Sequence, residues 1–176
     1  MDDRTAYEDW KVFAKYGWAM YGVQLWELSL KQLVQLVQPD LPDDASFEKA
    51  WAEVERLLRR PAGKLREQLE KQGYGSKELH DKLKTFKRHR NELAHEFLLD
   101  YAIMRQTGME DVYEAAMKKL EAEGLLFRDF SDELGELSEQ RASQRGWDLA
   151  KDLEAVDLTP EDLGRMLLAE EAGEEL

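Results

Sequence analysis

Cysteine is absent from this 176-residue chain, which removes disulfides, thiolate nucleophiles and cysteine-ligated zinc or iron–sulfur sites. Proline and glycine are scarce, 4 and 11, so long uninterrupted elements are expected. Long apolar runs are missing as well. The longest uncharged stretch, Tyr16 to Trp26, has 11 residues, well short of the roughly 20 that a membrane-spanning helix needs. The opening Met-Asp-Asp-Arg carries no basic stretch leading into an apolar one, so no secretory signal is expected and the reading is a cytoplasmic protein without a membrane partner. Three His without Cys form no metal-ligand spacing, and neither a Gly-rich phosphate loop nor a Ser nucleophile elbow occurs. No cofactor is expected.

What is present is charge. Charged residues make up 36% of the chain and hydrophobic ones 43%, the balance of a globular protein long enough to bury a core. The formal charge of −13 argues at first against a nucleic-acid partner. Its distribution reverses that inference: residues 1–106 hold 18 Lys+Arg and 18 Asp+Glu, and residues 107–176 hold 7 and 20. All of the acidic excess is C-terminal. Lys82, Lys84, Lys87, Arg88 and Arg90 form one basic cluster, and Arg56, Arg59, Arg60, Lys64 and Arg66 a second. A solvated helix face is the commoner origin of any such run.

The apolar periodicity is helical throughout. Trp10, Phe13, Ala14, Trp18, Tyr21, Leu25 and Leu28 recur at three- and four-residue steps in a helix expected from Arg4 to about Gln38. Its second half is apolar on more than one side, which requires burial at the centre of a fold or at a subunit interface. The Pro39–Asp44 stretch ends it, and Ser46 caps a second helix to about Arg59. Pro61 lies near the start of a third, to about Gln72, and Ser76 caps a fourth that runs to Thr107-Gly108. Further helices are expected from Met109 to Glu123, stopped by Gly124, from Asp129 to Ala155, and after Thr159-Pro160. The fold class is therefore all-α, with 1–135 as the helical domain and 136–176 as an acidic helical extension. The five Trp, lying at helical spacing, read as core rather than as a base-stacking platform.

One hexapeptide looks like chemistry, Arg90-Asn91-Glu92-Leu93-Ala94-His95. Histidine has the unperturbed pKa nearest neutrality and exchanges protons at working pH, while arginine grips a phosphate through two parallel hydrogen bonds. Residues five apart on a uniform α-helix stand about 140° apart, so Arg90 and His95 share a face only if the helix is irregular. A break or an irregular turn around Arg88 to Asn91, with Asn91 as the cap, is the expected irregularity, leaving free N–H groups near a bound phosphate. His80 and His89 are read as ordinary surface residues. Glu27, the only acid between Asp9 and Asp40, has two readings of equal weight: it orients Arg90 or His95, or it pairs with Lys31 one turn away.

The pattern Arg90-Asn91-x-x-x-His95, preceded by a basic helix and followed by Glu96-Phe97-Leu98-Leu99, resembles the R-x(4–6)-H signature of the HEPN superfamily. The segments Phe13–Glu27 and Ala62-Gly63-Lys64-Leu65 agree with that resemblance, which covers roughly residues 8 to 135. It implies a HEPN-like bundle of four or five helices, here with extra C-terminal helices, forming a homodimer around the motif. It further implies metal-independent endoribonuclease activity of a toxin or defence effector, with an antitoxin protein as a further partner. On that resemblance Arg90, His95 and Asn91 are the catalytic set, Glu27 supports them, and Lys84, Lys87 and Arg88 bind RNA. Control by modification of a Tyr two residues after the motif His is not available, because that position is Phe97. Tyr101, one turn on, reads as core or interface. The alternative is a catalytically inactive HEPN-fold module that binds RNA or a protein, with the acidic C-terminal third as its contact surface.

Overall fold

A computed structural model of the chain describes residues 3–38, 62–107 and 111–148. Among these, every regular element is helical: α1 (Asp3–Leu36), α2 (Ala62–Lys71), α3 (Lys77–Asn91), a π turn (Glu92–Glu96), α4 (Phe97–Gln106) and α5 (Val112–Gln144). The fold is an all-α helical bundle, as the periodicity predicts. No described helix is long and apolar enough to cross a membrane. The helix expected over 46–59, with Arg56, Arg59 and Arg60, and the final helix after Thr159 lie outside the described residues.

Cross-helix contacts fix the directions. Lys15 meets Glu121, Gly22 lies on Gly124, the Ser29 and Ser131 hydroxyls are 2.9 Å apart, and Arg141 donates to the Leu36 carbonyl. The partner numbers rise together, so α1 and α5 run parallel, each about 50 Å long at 1.5 Å per residue. Against them the helix formed by α3, the π turn and α4 runs antiparallel: Lys82 pairs with Glu133 and His89 with Glu123, while Tyr101 reaches Asp9 and Phe97 stacks on Tyr16. Two parallel helices of one chain need a return between them, and residues 77–106 supply it.

The core forms where the three helices meet. Trp26, Phe86, Phe127 and Phe130 are all at most 4% exposed, and Phe86 packs edge-on to Phe127 and 4.3 Å from Phe130, centroid to centroid. Burying side chains of this size stabilises by about 1.5–3 kcal/mol each.

Helix ends follow local chemistry. Ser76 caps α3 as expected, its Oγ accepting from the Leu79 N–H at 3.2 Å. Gly146, at φ +75°, closes α5 in the left-handed conformation while the Trp147 N–H returns to the Ala142 carbonyl. The predicted stop at Gly124 is corrected: α5 runs through it unbroken, and through residues 135 and 136, to Gln144. Gly124 is buried under the Trp18 ring, and a Cβ there would lie 2.1 Å from Trp18 Cζ3. Its glycine serves close helix approach rather than termination.

Candidate active site

The basic helix α3 does not break before the motif. Asn91 keeps helical angles (φ −67°, ψ −40°), its side chain caps nothing, and the Glu92 N–H still bonds to the Arg88 and His89 carbonyls. The expected break with free N–H groups is thus corrected. The irregularity comes just after, where the helix widens into a π turn and the Phe97 N–H bonds to the Glu92 carbonyl five residues back. Across this turn Glu92 and Phe97, five apart, stand as residues four apart do on an α-helix. One inserted residue carries His95 round toward the Arg90 side. π turns of this kind recur at functional sites because they re-aim a side chain within a continuous helix.

Arg90 is held from two directions. Its Nε donates to Glu27 Oε1 at 3.2 Å across the bundle, and a terminal nitrogen donates to Asn91 Oδ1 at 3.3 Å. The Arg90 side chain is 35% exposed and that of Glu27 21%. Of the five guanidinium N–H donors, three have no partner among the described residues and remain for a phosphate. The Arg90 contact is one of the two expected of Glu27. His95 is exposed, and its imidazole makes no hydrogen bond to any described residue. Glu27, Arg90 and Asn91 thus converge, and the His95 imidazole further along the same helix is presented to solvent.

The basic row divides by helix face. Lys84, Lys87 and Arg88 are exposed, Arg88 beside Glu92 one turn on at 3.6 Å. Lys82 instead turns inward, pairing with Glu133 and lying 4.3 Å from the centre of the Phe130 ring. In the second cluster, Lys64 pairs with Glu67 and Arg66 with Glu70 along α2.

His80 and His89, expected as ordinary surface residues, are half-buried and each imidazole has a fixed partner. His80 Nε2 lies 2.9 Å from the Tyr74 carbonyl. His89 Nδ1 lies 2.9 Å from both oxygens of Glu123, whose side chain is 13% exposed. A carboxylate on Nδ1 fixes the tautomer that keeps Nε2 as the acceptor. The available signal was its spacing: His89 follows the buried Phe86 by three residues and so faces the bundle. His89 and Arg90 straddle the seam, each meeting a carboxylate from a different long helix.

A second polar network anchors the helix beyond the π turn. The Tyr101 hydroxyl donates to Asp9 Oδ1 at 2.6 Å, and Arg105 donates to Asp9 and, at 2.6 Å, to Glu8. Burial, and then the hydrogen bond to Asp9, push the Tyr101 phenol up to about 12. The Glu8 carboxylate raises Arg105, the largest influence on it. Tyr101, expected as core or interface, is 3% exposed within its own chain.

Among the described residues no group of three or more His, Asp or Glu is placed to hold a metal ion. No family model, no curated protein and no solved structure matches this chain.

Proposed function

We propose that the chain is a metal-independent endoribonuclease of the HEPN type, a toxin or defence effector acting on cytoplasmic RNA as a homodimer. The observation that supports this reading is the π turn between Arg90 and the exposed His95, an irregularity that turns His95 toward the face of an Arg90 held by Glu27 and Asn91. Cleavage at such a site proceeds in line. A base takes the proton of the ribose 2′-hydroxyl, O2′ attacks phosphorus, and the bond to O5′ breaks as an acid returns a proton to it, leaving a 2′,3′-cyclic phosphate and a 5′-hydroxyl. Arg90 stabilises the charge on the phosphorane, and His95 handles a proton. One chain supplies one such pair and two chains supply both ends of the reaction. Lys84, Lys87 and Arg88 track the RNA backbone. An antitoxin protein would restrain the activity.

The ion pair that aims Arg90 also favours a second reading. A guanidinium partly neutralised by Glu27 suits an RNA- or protein-binding module that does not cleave. RNA incubated with the protein in EDTA separates the two: the nuclease yields cyclic-phosphate ends, abolished by His95→Ala, whereas the module binds and leaves RNA intact.

A further inference from the structure

Helix α1 is inside out over its first two thirds. From residue 5 onward its exposed positions are Ala6, Tyr7, Trp10, Phe13, Ala14, Gly17, Tyr21 and Gln24, none of them charged. Its charged residues are turned aside into intrachain contacts: Asp9 to Arg105, Lys11 over the Tyr7 ring, Lys15 to Glu121 and Glu27 to Arg90. The four aromatics are 54–63% exposed. At about 150–250 Å² for each such side chain, they leave on the order of 450 Å² of ring surface in water. That is more than half of the roughly 800 Å² per partner that a stable dimer buries.

The stripe also has a register. Positions 7, 10, 14, 17, 21 and 24 follow alternating steps of three and four, the seam of a two-helix coiled coil. No described residue lies within 4 Å of where a Gly17 Cβ would be, so nothing in the described fold calls for a glycine there. An exposed mid-helix glycine weakens the helix. Close approach of another helix accounts for it.

We infer that α1 docks on α1 of a second copy of this chain, antiparallel about a two-fold axis between Ala14 and Gly17. In that arrangement Ala14 faces the partner's Gly17, Trp10 the partner's Tyr21, and Tyr7 the partner's Gln24. Every seam position then finds a seam position: small meets small at the centre, where the backbones come closest, and rings overlap on either side. Opposed helix dipoles favour this direction over the parallel one. The stripe presents no cation, which disfavours RNA as its occupant. About this axis the two Arg90 sites, each held by its own Glu27, stand roughly 35 Å apart at 1.5 Å per residue, so this surface is separate from any pairing of the two motifs and does not rest on cleavage of RNA.

Sedimentation equilibrium of the full chain at low and high salt tests it. A dimer is expected at micromolar concentration, tightening with salt as repulsion between two acidic chains is screened. Gly17→Leu fills open space in the monomer, so it should keep or raise thermal stability while weakening the dimer about 100-fold or more; Trp10→Ala should also dissociate it. A monomeric wild type, or a dimer that survives both substitutions, overturns the inference. So does single-stranded RNA binding by a monomer that is lost in Trp10→Ala and weakened by salt.

Discussion

Glu27 on α1 holds the Nε of Arg90 on α3 at 3.2 Å, joining the most apolar stretch of the first helix to the motif. Glu27→Gln keeps the shape and removes the charge. It should cost about 1 kcal/mol of stability, below the usual value for a hydrogen bond to a charged group because water partly reaches and screens this one. If the pair positions Arg90 for cleavage, the rate falls about tenfold while RNA affinity holds or rises, since a carboxylate near the phosphate is lost. A loss of stability with an unchanged rate would make Glu27 purely structural.

Gly124 and Gly135 lie on one helix and should respond oppositely to alanine. At Gly124 the new methyl meets the Trp18 ring, forcing α1 and α5 apart at a cost of about 1–3 kcal/mol or more. At Gly135 no described residue lies within 4 Å, so alanine should stabilise by roughly 0.5–1 kcal/mol through helix propensity. Thermal melts of the two variants check the pair.

Tyr101 ties stability to alkaline pH. Its folded phenol is raised to about 12 from an ordinary 10.0. A raised acid is stabilising while protonated, so this contribution is complete below about pH 10 and is lost as pH climbs through about 12. Tyr101→Phe should flatten that part of the stability profile and lower stability at neutral pH by about 1 kcal/mol. Tyrosinate absorbance should show one late-titrating group in the wild type that the variant lacks.

Glu123 accepts from Nδ1 of His89, so ring-nitrogen NMR should find the neutral imidazole protonated at Nδ1. In Glu123→Ala the ring should lose that preference. A wild-type ring protonated at Nε2 would mean that the pair is not formed in solution.

Much of the fold is legible because helical periodicity and caps are local: Ser76 and the apolar rows of α1 and α3 predict their own elements. Gly124 misleads because a glycine that lets two helices touch looks the same in sequence as one that ends a helix, and the difference is Trp18, 106 residues away. The π turn is invisible for a related reason. It adds one residue to a turn without proline or glycine, so only the spacing of Arg90 and His95 hints that some irregularity is needed. Glu27 is noticeable as a lone acid in an apolar stretch, but its partner is 63 residues distant. His89 carries no such isolation, and its carboxylate lies on another helix. Trp10, read as core by its spacing, is 63% exposed, because periodicity marks a face without saying what covers it.

On the proposed reading, Arg90 and His95 act as one unit on a phosphodiester. A double-mutant cycle on single-turnover RNA cleavage in EDTA tests it most directly. Arg90→Ala and His95→Ala should each slow cleavage by on the order of 10²-fold or more, and the double variant should be little slower than either, as groups that work together are strongly non-additive. Cleavage that persists in the double variant, or two losses that simply multiply, would contradict it.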